Sequence, residues 1–175
     1  NWSKYSPVNP GKKWPMIWKG FRSSILTPRD TNTHFKLLHR GLNFKRHHGA
    51  RYTATTCRLC HSAYEDETHC ACCPALRHTW NKLASICEAG GDRVETNSHE
   101  FTLFGLAANG RLLQPVHAAL HKLVWKFLWQ NLNSDTLGNG KPKPHTIIAC
   151  ALKRLEKKII AHLKDIEIRK IKQDG

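Results

Sequence analysis

The chain has 175 residues, 40% of them hydrophobic, and sets 28 Lys and Arg against 13 Asp and Glu for a formal net charge of +15. That length suffices for one domain with a hydrophobic core, or a small core carrying arms, and no run approaches the roughly 18 apolar residues of a membrane span. A positive excess of this size repels itself unless a polyanion or counter-ions neutralise it, which points to nucleic acid ahead of an anionic lipid surface or a merely soluble basic face.

The charge is unevenly spread. Residues 1–60 hold twelve basic residues and one acid, Asp30, whereas residues 61–100 hold three basic residues and seven acids. The acidic stretch is expected to face away from a polyanion. Asn1 opens the chain without an apolar leader behind it, which reads as a mature or trimmed form.

Taken in chain order, residues 1–30 form a segment of their own. Pro7, Pro10, Pro15 and Pro28 argue against a continuous helix, so an extended basic and aromatic arm is expected. Lys12, Lys13, Lys19 and Arg22 would meet phosphates, with Trp14 and Trp18 stacking on bases. The alternative is an arm packed on its own domain.

Residues 31–115 are expected to form a metal-binding domain. Thr31 or Thr33 would cap a helix placing Phe35, Leu38 and Leu42 on one face. A basic patch follows, with Arg40, Lys45, Arg46, Arg51 and Arg58 as candidate contacts to a nucleic-acid backbone. Leu76, Trp80, Leu83 and Cys87 stand at helical spacing, and Gly90 and Gly91 end that helix. Residues 94–113 look like a poor helix, with an Asn109–Gly110 turn that suits a small hairpin.

Residues 116–175 are expected to be helical. Val116, Leu120, Leu123, Phe127 and Leu128 give one amphipathic pattern, and residues 134–145 form a loop. From 146 to 171, Ile148, Leu152, Leu155, Ile159, Leu163 and Ile166 recur in steps of three and four, which predicts a long helix packing on a partner helix or another chain. The class is mostly α: a small metal-stapled helical domain with an extended N-terminal arm and a long C-terminal helix.

Seven cysteines, five of them between Cys57 and Cys73, read as metal ligands in a reducing, intracellular compartment rather than as disulfides. Cys87 and Cys150 stand apart, as small buried hydrophobes. Cys57 and Cys60 form C-x2-C, His69 follows after eight residues and Cys73 after three more. The resulting three sulfurs and one nitrogen suit tetrahedral Zn2+. Cys72 competes with Cys73 for the fourth place, and Cys70, next to His69, is expected to point away. His117 and His121 lack the glutamate of an H-E-x-x-H site and read as packing or surface residues.

The run from Phe35 to Trp80 resembles the zinc-binding region downstream of the polymerase domain in LINE-type, non-LTR retrotransposon reverse transcriptases. The shared features are Leu38-His39-Arg40, the pair Cys57 and Cys60, Glu67-Thr68-His69, Cys73-Pro74 and Trp80. That family more often has four residues between the histidine and the last cysteine, where this chain has three. The resemblance implies nucleic-acid contact by a zinc module and no polymerase activity, because paired palm aspartates are absent from the sequence.

Four filled ligand positions and no nucleophile–base pair lead to an expected function without catalysis: a zinc-stabilised RNA-binding protein of a ribonucleoprotein assembly such as a ribosome, with an organelle such as the mitochondrion as its setting. Its partners would be structured RNA and neighbouring proteins, with no membrane. A nucleic-acid-binding fragment of a reverse transcriptase and a protein–protein adaptor are the alternatives.

Overall fold

The computed structural model describes residues 11–21, 25–45, 56–62, 64–134 and 143–173, with side chains as far as Arg169. Among these residues are seven α-helices: α1 Trp14–Lys19, α2 Pro28–Leu38, α3 Glu67–Cys72, α4 Arg77–Ala89, α5 His99–Thr102, α6 Pro115–Leu132 and α7 Ile147–Gln173. The described residues contain no strand, only isolated antiparallel bridges at Thr56–Tyr64 and Leu106–Leu112.

α6 is the axis of the fold. Its Leu120, Leu123, Val124, Trp125 and Leu128 are all buried, and α2, α4 and α7 pack around it. A helix apolar on nearly every side needs neighbours on every side. Its His121 and Trp125 serve this packing, together with His34 of α2. Trp125 Nε1 and His121 Nε2 both donate to the Thr102 carbonyl, at 2.7 and 2.9 Å, while His34 Nε2 of α2 donates to the Leu103 carbonyl at 2.8 Å. The carbonyls at the end of α5 are thereby satisfied inside the core, as buried polar groups require.

α2 begins earlier than the expected threonine caps. Thr27 is the N-cap, Pro28 occupies the first turn, and Thr27 Oγ1 donates to Asp30 Oδ2 at 2.7 Å. Neither Thr31 nor Thr33 caps it, because Pro28 preorganises the earlier start. The buried face consists of Asp30, His34, Leu37 and Leu38, with Leu42 beyond the helix. Phe35 is 45% exposed and does not join that face.

Residues 11–21 depart from the expected extended arm. Pro15 stands in the first turn of α1, where its fixed φ and missing N–H suit a helix start. Ile17 is buried, Trp14 and Trp18 stack at 5.5 Å, Trp14 meets Phe104 edge-on at 5.8 Å, and Trp18 stacks on His39 at 4.9 Å. This part of the segment packs on its own domain.

The helix through Trp80, Leu83 and Cys87 forms as expected, with Gly90 at its C-cap. The stretch expected to hold a hairpin contains one more helix. Ser98 Oγ accepts from the Phe101 N–H at 3.1 Å and starts α5, while the hairpin contracts to the Leu106–Leu112 bridge around Gly110, whose φ is 73°. α7 buries Ile147, Ile148, Ala151 and Leu155, then leaves Ile160, Leu163, Ile166 and Ile168 exposed. One core cluster runs from Ile17 to Leu155, so side chains from all three expected segments pack together.

Candidate metal centre

Two short pieces of chain build the site. The first is the turn after Thr56, where the His61 N–H donates to the Cys57 carbonyl at 2.9 Å and the Leu59 N–H donates to Cys57 Sγ at 3.4 Å. The second is α3. Asp66 is its N-cap, and its Oδ1 accepts from the His69 N–H at 2.8 Å and from Thr68 Oγ1 at 2.7 Å. Cys73 is the C-cap of α3, and its ψ of 129° is the extended setting that a following proline imposes. That turn of the backbone carries Cys73 inward and leaves Cys72 on the surface.

The ligand atoms of Cys57, Cys60, His69 and Cys73 all lie within 4.8 Å of one another. Cys57 Sγ and Cys73 Sγ are 3.9 Å apart, and Cys60 Sγ is 3.2 Å from His69 Nε2. Cys57 and Cys73 are buried, while Cys60 and His69 are partly exposed. Such a Cys3His group can chelate a metal such as Zn2+. Cys72 is exposed, its sulfur 3.5 Å from His99 Nε2, so Cys73 is the member of the group.

Cys70 is fully buried against the cluster rather than pointing away. Its thiol, then that of Cys73, hydrogen-bonds to Cys57 and holds Cys57 far below the ordinary thiol range. The same bonds to Cys57, reinforced by burial, push Cys70 and Cys73 up. One thiolate is thus shared by neighbouring S–H donors, the arrangement a cation would replace on displacing those protons.

Ion pairs fasten the two pieces. Glu65 is fully buried and accepts from Arg58 Nη2 at 2.5 Å, Arg58 Nε at 2.8 Å and the Arg58 N–H at 3.0 Å. Arg58 Nη1 reaches the Leu132 carbonyl and Asn133 Oδ1, both at 3.0 Å, at the end of α6. Arg40 Nε meets buried Glu67 at 2.8 Å. The acids of this stretch therefore turn inward to the basic residues before them, instead of simply facing away from a polyanion.

This changes the picture for several expected nucleic-acid contacts. Arg40 and Arg58 hold acids of their own chain, Lys13 pairs with Glu100 at 2.5 Å, and Lys45 Nζ donates to the Thr56 carbonyl at 3.0 Å. Trp14 and Trp18 belong to the aromatic cluster at the core's edge. Lys12 and Lys19 are exposed. Arg22, Arg46 and Arg51 lie outside the described residues. Two exposed cations on α2, Arg29 and Lys36, escaped the sequence reading. Their spacing of seven on one helix was the signal that they share a face.

Cys87 is buried as expected, but Cys150 is exposed on α7. His117 Nδ1 pairs with Asp92 Oδ2 at 2.7 Å, and His121 is committed to the Thr102 carbonyl. Both are packing residues. No described helix is long and apolar enough to cross a membrane. Comparison with protein-family models, curated proteins and solved structures finds no match to this chain.

Proposed function

We propose that the chain is a non-catalytic RNA-binding module whose fold is cross-linked by Zn2+ on Cys57, Cys60, His69 and Cys73, and that it works as a structural part of a ribonucleoprotein assembly. The observation that carries this reading is the gathering of those four side chains in a chain of net charge +15. Four protein ligands fill a tetrahedral ion and leave no place for an activated water, so the metal's role is to hold the turn after Thr56 to α3. The ligand spacing, similar to that of LINE-type reverse transcriptases, supports nucleic acid as the partner.

The electrostatic surface available for RNA includes exposed Lys12, Lys19, Arg29 and Lys36. Contacts of this kind set affinity without reading sequence. The exposed Ile160, Leu163, Ile166 and Ile168 favour a second reading, in which α7 also docks on a protein of the same assembly.

Fluorescence polarisation of the zinc-loaded chain with structured RNA tests the proposal. Replacing Lys12 and Lys19 by Gln is expected to weaken binding several-fold on all RNA sequences alike. Absence of RNA binding at about 50 mM salt contradicts the reading, since the electrostatic term is strong there.

A further inference from the structure

A cleft of about 180 Å³ opens between the C-terminal end of α6 and the start of α7. Its lining combines an aromatic ring, Phe127, and the aliphatic Ile147 with the polar side chains of Gln130, Asn131 and Ser134 and the cation of Lys143. Among the described residues, two of these polar groups find no partner. Ser134 is only 6% exposed, and its Oγ makes no hydrogen bond. Asn131 Nδ2 donates to the Lys143 carbonyl at 3.2 Å, which fixes the amide's orientation and leaves Oδ1 as a buried acceptor with nothing to accept. Buried polar atoms are nearly always satisfied, and an exception that lines a cavity calls for a guest.

The guest's chemistry follows from the lining. It must offer an N–H to Asn131 Oδ1, hydrogen-bond to the Ser134 hydroxyl, and present apolar surface to Phe127 and Ile147. It must also suit Lys143, an exposed cationic residue of the lining. The volume is below the range of drug-sized ligand sites, and fits a single heterocycle. We propose that this cleft seats one unstacked RNA base, with an adjoining phosphate on Lys143.

This inference rests on the RNA-binding reading and adds to it a site that engages the base as well as the phosphate. The zinc turn bears on the same place, because Arg58, next to the ligand Cys57, holds the Leu132 carbonyl and Asn133 on the chain between Asn131 and Ser134. The turn that carries Cys57 is therefore hydrogen-bonded to the stretch of chain that lines the cleft.

The test uses the zinc-loaded full chain at about 100 mM salt. Its affinity for the tighter-binding of oligoadenylate and oligouridylate is compared with that for an abasic ribose-phosphate oligomer of equal length. The abasic oligomer is expected to bind roughly tenfold more weakly, the scale of one base stacked on protein. Two substitutions at exposed positions, Gln130→Ala on the rim and Cys150→Trp to fill the opening, should each shrink that difference and leave binding of the abasic oligomer unchanged. Zinc content and circular dichroism verify that the variants are folded. Equal affinity for both oligomers in the unsubstituted chain overturns the base site and leaves the electrostatic reading standing. A preference for base-bearing RNA that survives in both variants also overturns it, because the bases then sit elsewhere. Failure to bind either oligomer overturns the cleft proposal and the RNA-binding reading together.

Discussion

Asp30 is the single acid among the first 60 residues, and it is wholly buried between α2, α6 and α7. Lys126 at 2.7 Å, Arg154 at 3.0 Å and Lys158 at 3.2 Å surround it. Burial alone would raise its pKa, but hydrogen bonds from Lys126, Thr27 and Arg154 hold it well below the ordinary carboxylate range. Asp30→Asn leaves three cations facing a neutral amide and is expected to cost about 2–3 kcal/mol at pH 7 in urea denaturation; removing one partner of a buried pair costs up to about 5, and these cations keep some solvent. A depressed carboxylate pKa stabilises the fold above the unfolded value of about 3.9 and loses that contribution as pH falls further. The gap between the two proteins should therefore close below about pH 4.

His121 works in the opposite acid–base sense. Burial lowers it to about 4, while its Nε2–H is held by the Thr102 carbonyl. Between its unfolded value of about 6.5 and the native one, the unfolded chain binds a proton that the native chain refuses, so stability falls as pH drops through that window. His121→Gln should remove up to about 3 kcal/mol of that pH dependence, read as a flatter unfolding free energy between pH 6.5 and 4 at matched zinc content. Next to these core residues, the two neighbouring thiols make a sharper contrast. Cys73→Ala should lose the metal and Cys72→Ala should keep it, as elemental analysis of the purified chains would record. The reverse result places the fourth ligand on Cys72.

At the scale of the elements, the steps of three and four from Ile148 to Ile166 made α7 legible, and the run of apolar residues in α6 did the same. Periodicity names the face that wants a partner but not how far the partner reaches. In α7 the intramolecular core ends near Ile159, and the stripe continues into solvent. Leu155→Ala should cost about 2–4 kcal/mol, whereas Leu163→Ala should stay within about 0.5 kcal/mol in the isolated chain; thermal or urea unfolding separates the two. A large loss at Leu163 would mean that the distal half is already covered, by a second copy or by its own chain.

α1 and the start of α2 depart from expectation for one reason: proline reads as a helix breaker along the sequence, but Pro15 and Pro28 stand in first turns, where it suits a helix start. The four-residue cluster was legible from the C-x2-C turn and the histidine four residues before Cys73. The choice between Cys72 and Cys73 was not, because it depends on the extended ψ that Pro74 imposes on Cys73. Arg40 and Arg58 likewise appeared as free cations. Their acids, Glu67 and Glu65, meet them only after the chain has folded back through the ligand turn.

For the whole molecule, the reversal of charge along the sequence now has two physical parts. One is internal, where Glu65, Glu67, Asp30 and Glu100 each hold a cation of the same chain. The other is the net +15 that remains in any arrangement of those pairs and on which the proposed RNA partner rests. The proposed zinc bears on the internal part, because it fixes the turn whose Arg58 holds Glu65 and the end of α6. The most direct test is the affinity of the chain for RNA as a function of salt, measured before and after zinc is removed by chelation. The account predicts that log affinity falls linearly with log salt, with a slope corresponding to at least about three phosphate contacts, and that binding weakens sharply when zinc is withdrawn and returns when it is restored. An affinity unchanged between about 50 and 500 mM salt, or identical with and without zinc, would contradict it.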